Sequence, residues 1–174
     1  MKARLLALTS FALLFTSTLP GQNLPSQHNH NVGAAAMIDG ETHPELIPDA
    51  TAYRLYLLTI ATTPNPTTED RARQDSHIAA LRLNFADRQA LITVLADFKS
   101  RYVVLVNQYN EAATAAQARG ERPDVKTLLQ KRKDLTQSVI ATLRLSLSLE
   151  GMTRLDSHIQ SQKRSMKVDA QEVQ

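Results

Sequence analysis

The sequence predicts an all-α fold, in which a long antiparallel helical hairpin carries shorter packed helices as a small bundle. Three observations predict it. No glycine or proline interrupts residues 85 to 119, and alternating strand patterns are nearly absent. Apolar side chains also recur at alternating four- and three-residue spacings, as in a coiled-coil seam. This heptad-like seam consists of Leu91, Leu95, Phe98, Tyr102, Leu105, Tyr109, Ala112 and Ala116.

The first residues have the pattern of a secretory signal peptide, which we assign to residues 1–21. Lys2 and Arg4 precede an apolar stretch from Leu5 to Leu19. This stretch is shorter than the roughly 20 residues that cross a bilayer as a helix, which favours cleavage over permanent anchoring. We therefore expect a periplasmic or secreted protein, with an uncleaved anchor as the alternative.

The remaining chain divides by composition into three parts. Residues 22–44 are polar and without sustained periodicity, so we expect a flexible leader. Residues 45–166 carry helical periodicity and form the predicted α-helical domain. Residues 167–174 are predicted to be a disordered tail.

Capping residues mark where each predicted helix begins and ends. Helices are expected over about 50–62, 68–82, 85–119, 123–146 and 149–163. Gly120 is expected to end the third helix as a C-terminal cap. The residues expected at the helix starts are Asp49, Thr67 with Asp70, Asn84 with Asp87, Pro123 with Asp124, and Ser148.

Composition excludes several classes of protein. The 174 residues include no cysteine, which rules out a disulfide scaffold, a thiol nucleophile and cysteine-ligated metal sites. Loss of residues 1–21 would lower Lys plus Arg from 20 to 18 against 17 acidic residues, a net charge of +1. Net charge therefore provides no motive for nucleic-acid binding, and we expect none.

No motif with a catalytic mechanism is present, so we expect no enzyme and no cofactor. There is no GxSxG elbow and no Ser, His and Asp set whose spacing would justify a triad. His28 and His30 are the closest pair of histidines. Two ligands are too few for a structural zinc site, so we predict no metal site and keep His-dependent metal binding or sensing as an alternative.

A basic run at residues 131–133 suggests a second alternative, a structural or membrane-surface envelope protein. Acidic residues such as Asp124 and Asp134 interleave with these bases and dilute a field of one sign. The chain also lacks tryptophan, the usual anchor at a membrane interface.

Two segments resemble known proteins. Residues 39–58, DGETHPELIPDATAYRLYLL, are similar to a motif of uncharacterised secreted bacterial proteins. Residues 81–98, LRLNFADRQALITVLADF, resemble the helix start of the Spy and CpxP family of periplasmic helical-hairpin stress chaperones, with Gln89 as the downstream glutamine. Asn84 stands where threonine is usual. The second resemblance implies an all-α cradle, often dimeric, that shields unfolded clients or adapts a sensor kinase.

These observations predict an exported, non-catalytic protein-interaction module of the periplasm or cell envelope, chaperone-like or adaptor-like. Its partner would be another protein, an unfolded client or a second copy of the chain. The part of the seam that the chain's own helices leave uncovered would form a shallow surface for a partner. The residues expected on that surface are Leu91, Phe98, Tyr102 and Tyr109.

Overall fold

Five α-helices dominate the computed structural model, which describes residues 37–170, and the all-α prediction is confirmed. The signal peptide of residues 1–21 and most of the leader lie outside the described residues. Within the described range no helix is long and apolar enough to span a bilayer. The elements are β1 (Met37–Asp39), α1 (Asp49–Ile60), α2 (Thr68–Ala80), α3 (Phe85–Ala118), α4 (Val125–Ser146), α5 (Leu149–Gln162) and β2 (Lys167–Asp169).

Most predicted caps are confirmed. Thr67 and Asp70 form a reciprocal capping box at the start of α2. The side chain of Asp124 accepts a hydrogen bond from the Thr127 amide, 3.0 Å away, at the start of α4. Gly120 follows α3 with a φ of +73°, the left-handed conformation that suits glycine after a helix.

The prediction for Asp49 is wrong. The N-cap of α1 is Pro48, and Asp49 is the first residue of the helix. The Asp49 carboxylate instead accepts a hydrogen bond from the Lys163 ammonium group at 2.6 Å. Lys163 is only 7% exposed, so this pair satisfies a buried charge.

Both ends of the described chain meet in a small sheet that the sequence did not predict. Strand β1 pairs with β2 in antiparallel register, with Ile38 opposite Val168. The Gly40 amide extends the pairing by donating to the Met166 carbonyl at 2.8 Å. The leader expected through residue 44 and the tail expected from residue 167 therefore each contribute a strand, and the domain is wider than 45–166.

Helices α3 and α4 lie side by side and run in opposite directions. Near the start of α3, the Asp87 side chain contacts Ser148, just beyond the end of α4. At the opposite end, Ala116 of α3 and Asp124 before α4 line the same groove. The connection between the helices covers only residues 119–124.

The hydrophobic core occupies one half of this helix pair. We call this half the basal bundle: α1, α2, α5, residues 85–98 of α3 and residues 135–146 of α4. Beyond Phe98 only Ala116 of α3 is buried. We call the other half, residues 99–134, the arm. The fully buried large side chains are Ile47, Leu57, Ile60, Ile78, Leu91, Leu95, Phe98, Thr136, Val139, Leu143, Leu155 and Ile159.

A buried carboxylate joins the starts of α3 and α5. Asp87 is 4% exposed, and its two oxygens accept hydrogen bonds from the Ser148 amide at 2.7 Å and the Ser148 hydroxyl at 2.6 Å. The Asn84 side-chain amide donates a third bond at 2.8 Å. The hydrogen bond from the Ser148 amide has the largest effect, followed by the one from the Ser148 hydroxyl, and together they hold the pKa of Asp87 below its ordinary value of 3.8.

Asp87→Asn is expected to lower the free energy of unfolding by about 3 kcal/mol, because buried donors lose a charged acceptor. Asp97→Asn is the matched control on the same helix. Its carboxylate forms an exposed pair with Arg101, so the expected loss is under about 0.5 kcal/mol. Urea unfolding of both variants measures the difference, and equal losses would contradict a special role for Asp87.

Acid should weaken the native protein through the same residue. Because the folded-state pKa of Asp87 lies below the unfolded value, its contribution is complete above pH 3.8 and declines as the pH falls further, through the folded pKa. Urea unfolding measured from about pH 6 down to about pH 3 covers the ordinary range of carboxyl pKa values. Over that range, the free energy of unfolding should fall less in Asp87→Asn than in Asp97→Asn. Parallel curves would contradict the linkage.

Gly151→Ala is expected to destabilise the protein by about 2 kcal/mol, although alanine normally favours a helix over glycine by about 1 kcal/mol. A methyl group there would collide with the Asp87 carboxylate oxygen that accepts hydrogen bonds from the Asn84 side-chain amide and the Ser148 hydroxyl. Ser157→Ala, at an exposed position of α5, is the control and should change stability by under about 0.5 kcal/mol. Thermal unfolding decides the sign, and a stabilised Gly151→Ala would show that the carboxylate can move.

Candidate functional site

The predicted partner residues occupy two different environments. Leu91 and Phe98 are 0% exposed in the core of the basal bundle, so they offer no surface to a partner in this fold. The expectation for these two positions needs this correction, because other helices cover that part of the seam. Tyr102 and Tyr109 are half-buried and lie in the arm. Their role in partner binding stays a prediction.

Tyr102 marks the boundary between the basal bundle and the arm. Its ring packs against Phe98 with a centroid separation of 5.7 Å. The guanidinium carbon of Arg132 lies 5.7 Å from the centroid of the Tyr102 ring, within the range of a cation–π contact. Tyr102 thus closes the top of the core and joins α3 to α4 at this level.

Above Tyr102, a groove of about 330 Å³ runs between α3 and α4. Tyr109 lies in its wall, together with small and aliphatic side chains of the seam. We call this groove the arm groove. Its lining residues are Leu105, Gln108, Tyr109, Ala112, Ala113, Ala116, Arg119, Glu121, Arg122, Asp124, Thr127, Leu128 and Lys131.

The arm is basic. Residues 99–134 contain eight Lys and Arg against four Asp and Glu. On the groove rim, Arg119 is paired with Glu121 at 2.8 Å, which neutralises both. Arg122 and Lys131 are exposed and form no ion pair among the described residues. The rim therefore presents two positive charges that have no ion-pair partner among the described residues.

Asp124, one of two acidic residues that line the groove, already has a hydrogen-bonding role in the fold. Asp124 caps α4 through Thr127, and the hydrogen bond from the Thr127 hydroxyl is the main cause that lowers the pKa of Asp124. Its carboxylate is therefore ionised at neutral pH and engaged with the helix start. It reduces the positive charge of the groove locally without supplying a free acid for catalysis.

Two titratable side chains, Tyr56 and His158, pack against each other in the basal bundle. The Tyr56 hydroxyl is buried without a hydrogen-bond partner in the described part of the chain, and burial raises its pKa to about 12. Its ring meets His158 edge-on at 5.2 Å. Burial, followed by the nearby His77, lowers the pKa of His158. At neutral pH the phenol and this imidazole are therefore uncharged packing groups.

Metal-ligating side chains do not cluster in residues 37–170. No group of three or more His, Asp or Glu side chains there could hold a metal ion. His28 and His30, on which the metal-binding alternative depends, lie outside the described residues.

The sequence prediction did not include Gln108, Arg122 and Lys131, which line the arm groove but lie outside the seam. The predicted helix lengths already indicated that the shorter helices leave part of the seam uncovered. At about 1.5 Å per residue, the 13 residues predicted over 50–62 would span roughly 20 Å and the 35 predicted over 85–119 roughly 50 Å. A helix as short as α1 covers only part of the seam.

Comparisons with protein-family models, curated proteins and solved structures gave no match. The resemblance of residues 81–98 to periplasmic helical-hairpin chaperones therefore stays a prediction.

Proposed function

We propose that the chain is an exported, non-catalytic protein-interaction module whose arm groove binds an amphipathic helix with acidic flanking residues. The observation that carries the proposal is the continuation of the apolar seam past the basal core. Leu105, Tyr109 and Ala112 follow the spacing of the buried residues below them, yet line an open groove. Apolar residues at helical spacing that face a groove are the usual receptor for a helix.

The dimensions of the groove suit a helix. In the basal bundle, α1 packs against both α3 and α4 as a third helix. The alanines at 112, 113 and 116 line the groove and leave space for a similar approach in the arm. From Leu105 to Ala116 the groove extends roughly 17 Å, which corresponds to about three helical turns of a ligand.

The charges of the groove rim favour acidic residues on the ligand. Arg122 lies in the connection before α4, and Lys131 lies about two turns into α4, so the two cations flank the groove lengthwise. Carboxylates on the polar flanks of a bound helix would neutralise them. Such rim pairs mainly raise the association rate and select the partner.

A second copy of the arm fits this surface less well. Two arms, each with an excess of four positive charges, would repel each other on contact. An acidic segment of another protein, or of an unfolded client, meets no such barrier. The setting outside the cytoplasm rests on the signal-peptide prediction, and the adaptor-like or chaperone-like role on the resemblance of residues 81–98.

Ala112→Trp should weaken partner binding, because the indole fills the groove from an exposed position. The measurement is photo-crosslinking from position 108 in cells that export the protein, with identification of the adducts. Position 107, exposed but outside the groove, is the crosslinking control. Ala115→Trp, also exposed and outside the groove, is the control for the substitution.

We expect adducts from position 108 to fall at least about tenfold in Ala112→Trp, the loss for roughly 1.4 kcal/mol of binding, and to persist in Ala115→Trp. Equal capture from 107 and 108, or adducts that Ala112→Trp leaves unchanged, would contradict the groove. Adducts to the protein's own chain alone would favour the self-associating alternative.

Lys131→Glu should weaken a synthetic amphipathic helix that carries glutamates on its flanks, because a rim cation becomes an anion. Lys133→Glu makes the same charge change two residues away, outside the groove lining, and is the matched control. Fluorescence anisotropy should show about tenfold weaker binding for Lys131→Glu and a change under about threefold for Lys133→Glu. Equal effects of the two substitutions would show that binding depends on net charge alone.

A further inference from the structure

Three large apolar side chains protrude at the far end of the basal bundle. Phe85 is 79% exposed, Leu145 is 89% exposed and Leu149 is 88% exposed, the highest values among the large apolar residues that the structure describes. Single exposed apolar residues are ordinary, but a group at one end of a bundle indicates a contact surface.

The fold places these residues at the same end of the basal bundle. Phe85 is the first residue of α3, Leu145 lies in the last turn of α4, and Leu149 is the first residue of α5. The Asp87 carboxylate and the Ser148 amide, 2.7 Å apart, join the starts of α3 and α5 directly. We call Phe85, Leu145 and Leu149 the basal apolar patch.

A basic recess lies close to the patch along the chain, with Arg82 three residues before Phe85 and Arg154 five residues after Leu149. It has a volume of about 470 Å³ and is lined by Arg82 and Arg154 together with Thr153, Ser157 and His158. Arg154 donates a hydrogen bond to the Arg82 carbonyl, which fixes the two residues next to each other. Thr153 follows Leu149 by one helical turn, so the recess continues the face of α5 on which the patch begins.

The two arginines are available to an anion. Arg82 is exposed and forms no ion pair among residues 37–170. Arg154 pairs with Glu150, but that pair is exposed, with relative side-chain areas of 42% and 71%. Such surface pairs contribute little to stability, so a phosphate can replace the carboxylate.

We propose that the basal apolar patch docks onto a bilayer that contains anionic phospholipid. Phe85, Leu145 and Leu149 enter the interface between headgroups and acyl chains, while Arg82 and Arg154 bind headgroup phosphates. Protruding apolar side chains beside guanidinium groups match the layered chemistry of a lipid surface. In a symmetric contact with a second copy, the unpaired Arg82 of each chain would instead meet like charge.

Co-sedimentation of the protein with phosphatidylcholine vesicles, with and without phosphatidylglycerol, tests this docking. The variant with Phe85→Ser, Leu145→Ser and Leu149→Ser should bind the anionic vesicles at least about tenfold more weakly than the unchanged protein. The control carries Val103→Ser and Val104→Ser, two partly exposed apolar residues of the arm, and should bind normally.

A second pair of variants tests the role of the recess. Arg82→Gln with Arg154→Gln should remove most of the preference for phosphatidylglycerol, whereas Arg122→Gln with Lys131→Gln on the arm should retain it. An equal loss in both variants would show that net charge alone drives binding and would overturn the headgroup site.

A tryptophan reporter checks the depth of insertion, since the chain has no tryptophan of its own. In Leu149→Trp, anionic vesicles should shift the emission to shorter wavelength, and in Val104→Trp they should not. Absence of vesicle binding, or normal binding by the triple serine variant, overturns the proposal. Dimerisation that the triple variant abolishes, without vesicle binding, would assign the patch to a second copy instead.

Discussion

The Asp87 carboxylate is the constraint on which the arrangement of the helices depends. It lies where the starts of α3 and α5 meet, and the positive ends of both helix dipoles favour a negative charge there. By accepting from the amide and hydroxyl of Ser148, it fixes the corner between α4 and α5. Glycine at 151 follows from the same contact, because a side chain there would collide with the carboxylate.

A second long-range contact of a charged group, in addition to that of Asp87, holds the other end of helix α5. Lys163, just past α5, is buried and donates to Asp49 at the start of α1. The Gln160 amide donates to the same carboxylate oxygen at 2.8 Å. With both ends held, α5 presents Leu155 and Ile159 to the core along its length. The pairing of β1 with β2 then closes the chain over the same side of the bundle.

Local sequence signals were sufficient to predict the helices, but not to predict which other elements pack over each helix. Caps such as Thr67 and Asn84 act within three residues, so the sequence alone identifies them. The partner of Asp49 is 114 residues away, and the strands pair segments of three residues that carry no alternating pattern. Leu95 and Tyr109 occupy equivalent seam positions, two heptads apart, and only the length of the neighbouring helices makes one core and the other groove.

The contacts of Asp87 also explain why the proposed contact surfaces can exist without weakening the fold. Phe85 and Leu149 are first residues of helices whose starts Asp87 already joins, so their side chains are not needed for packing. The arm, in turn, consists of two helices without a third, so its hydrogen bonds should open at lower free energy than those of the basal bundle. A helix bound in the arm groove would supply the missing third element and extend the core beyond Tyr102. Because Phe98 below is already fully buried, this gain would be confined to the arm, and binding there would leave the basal end unchanged.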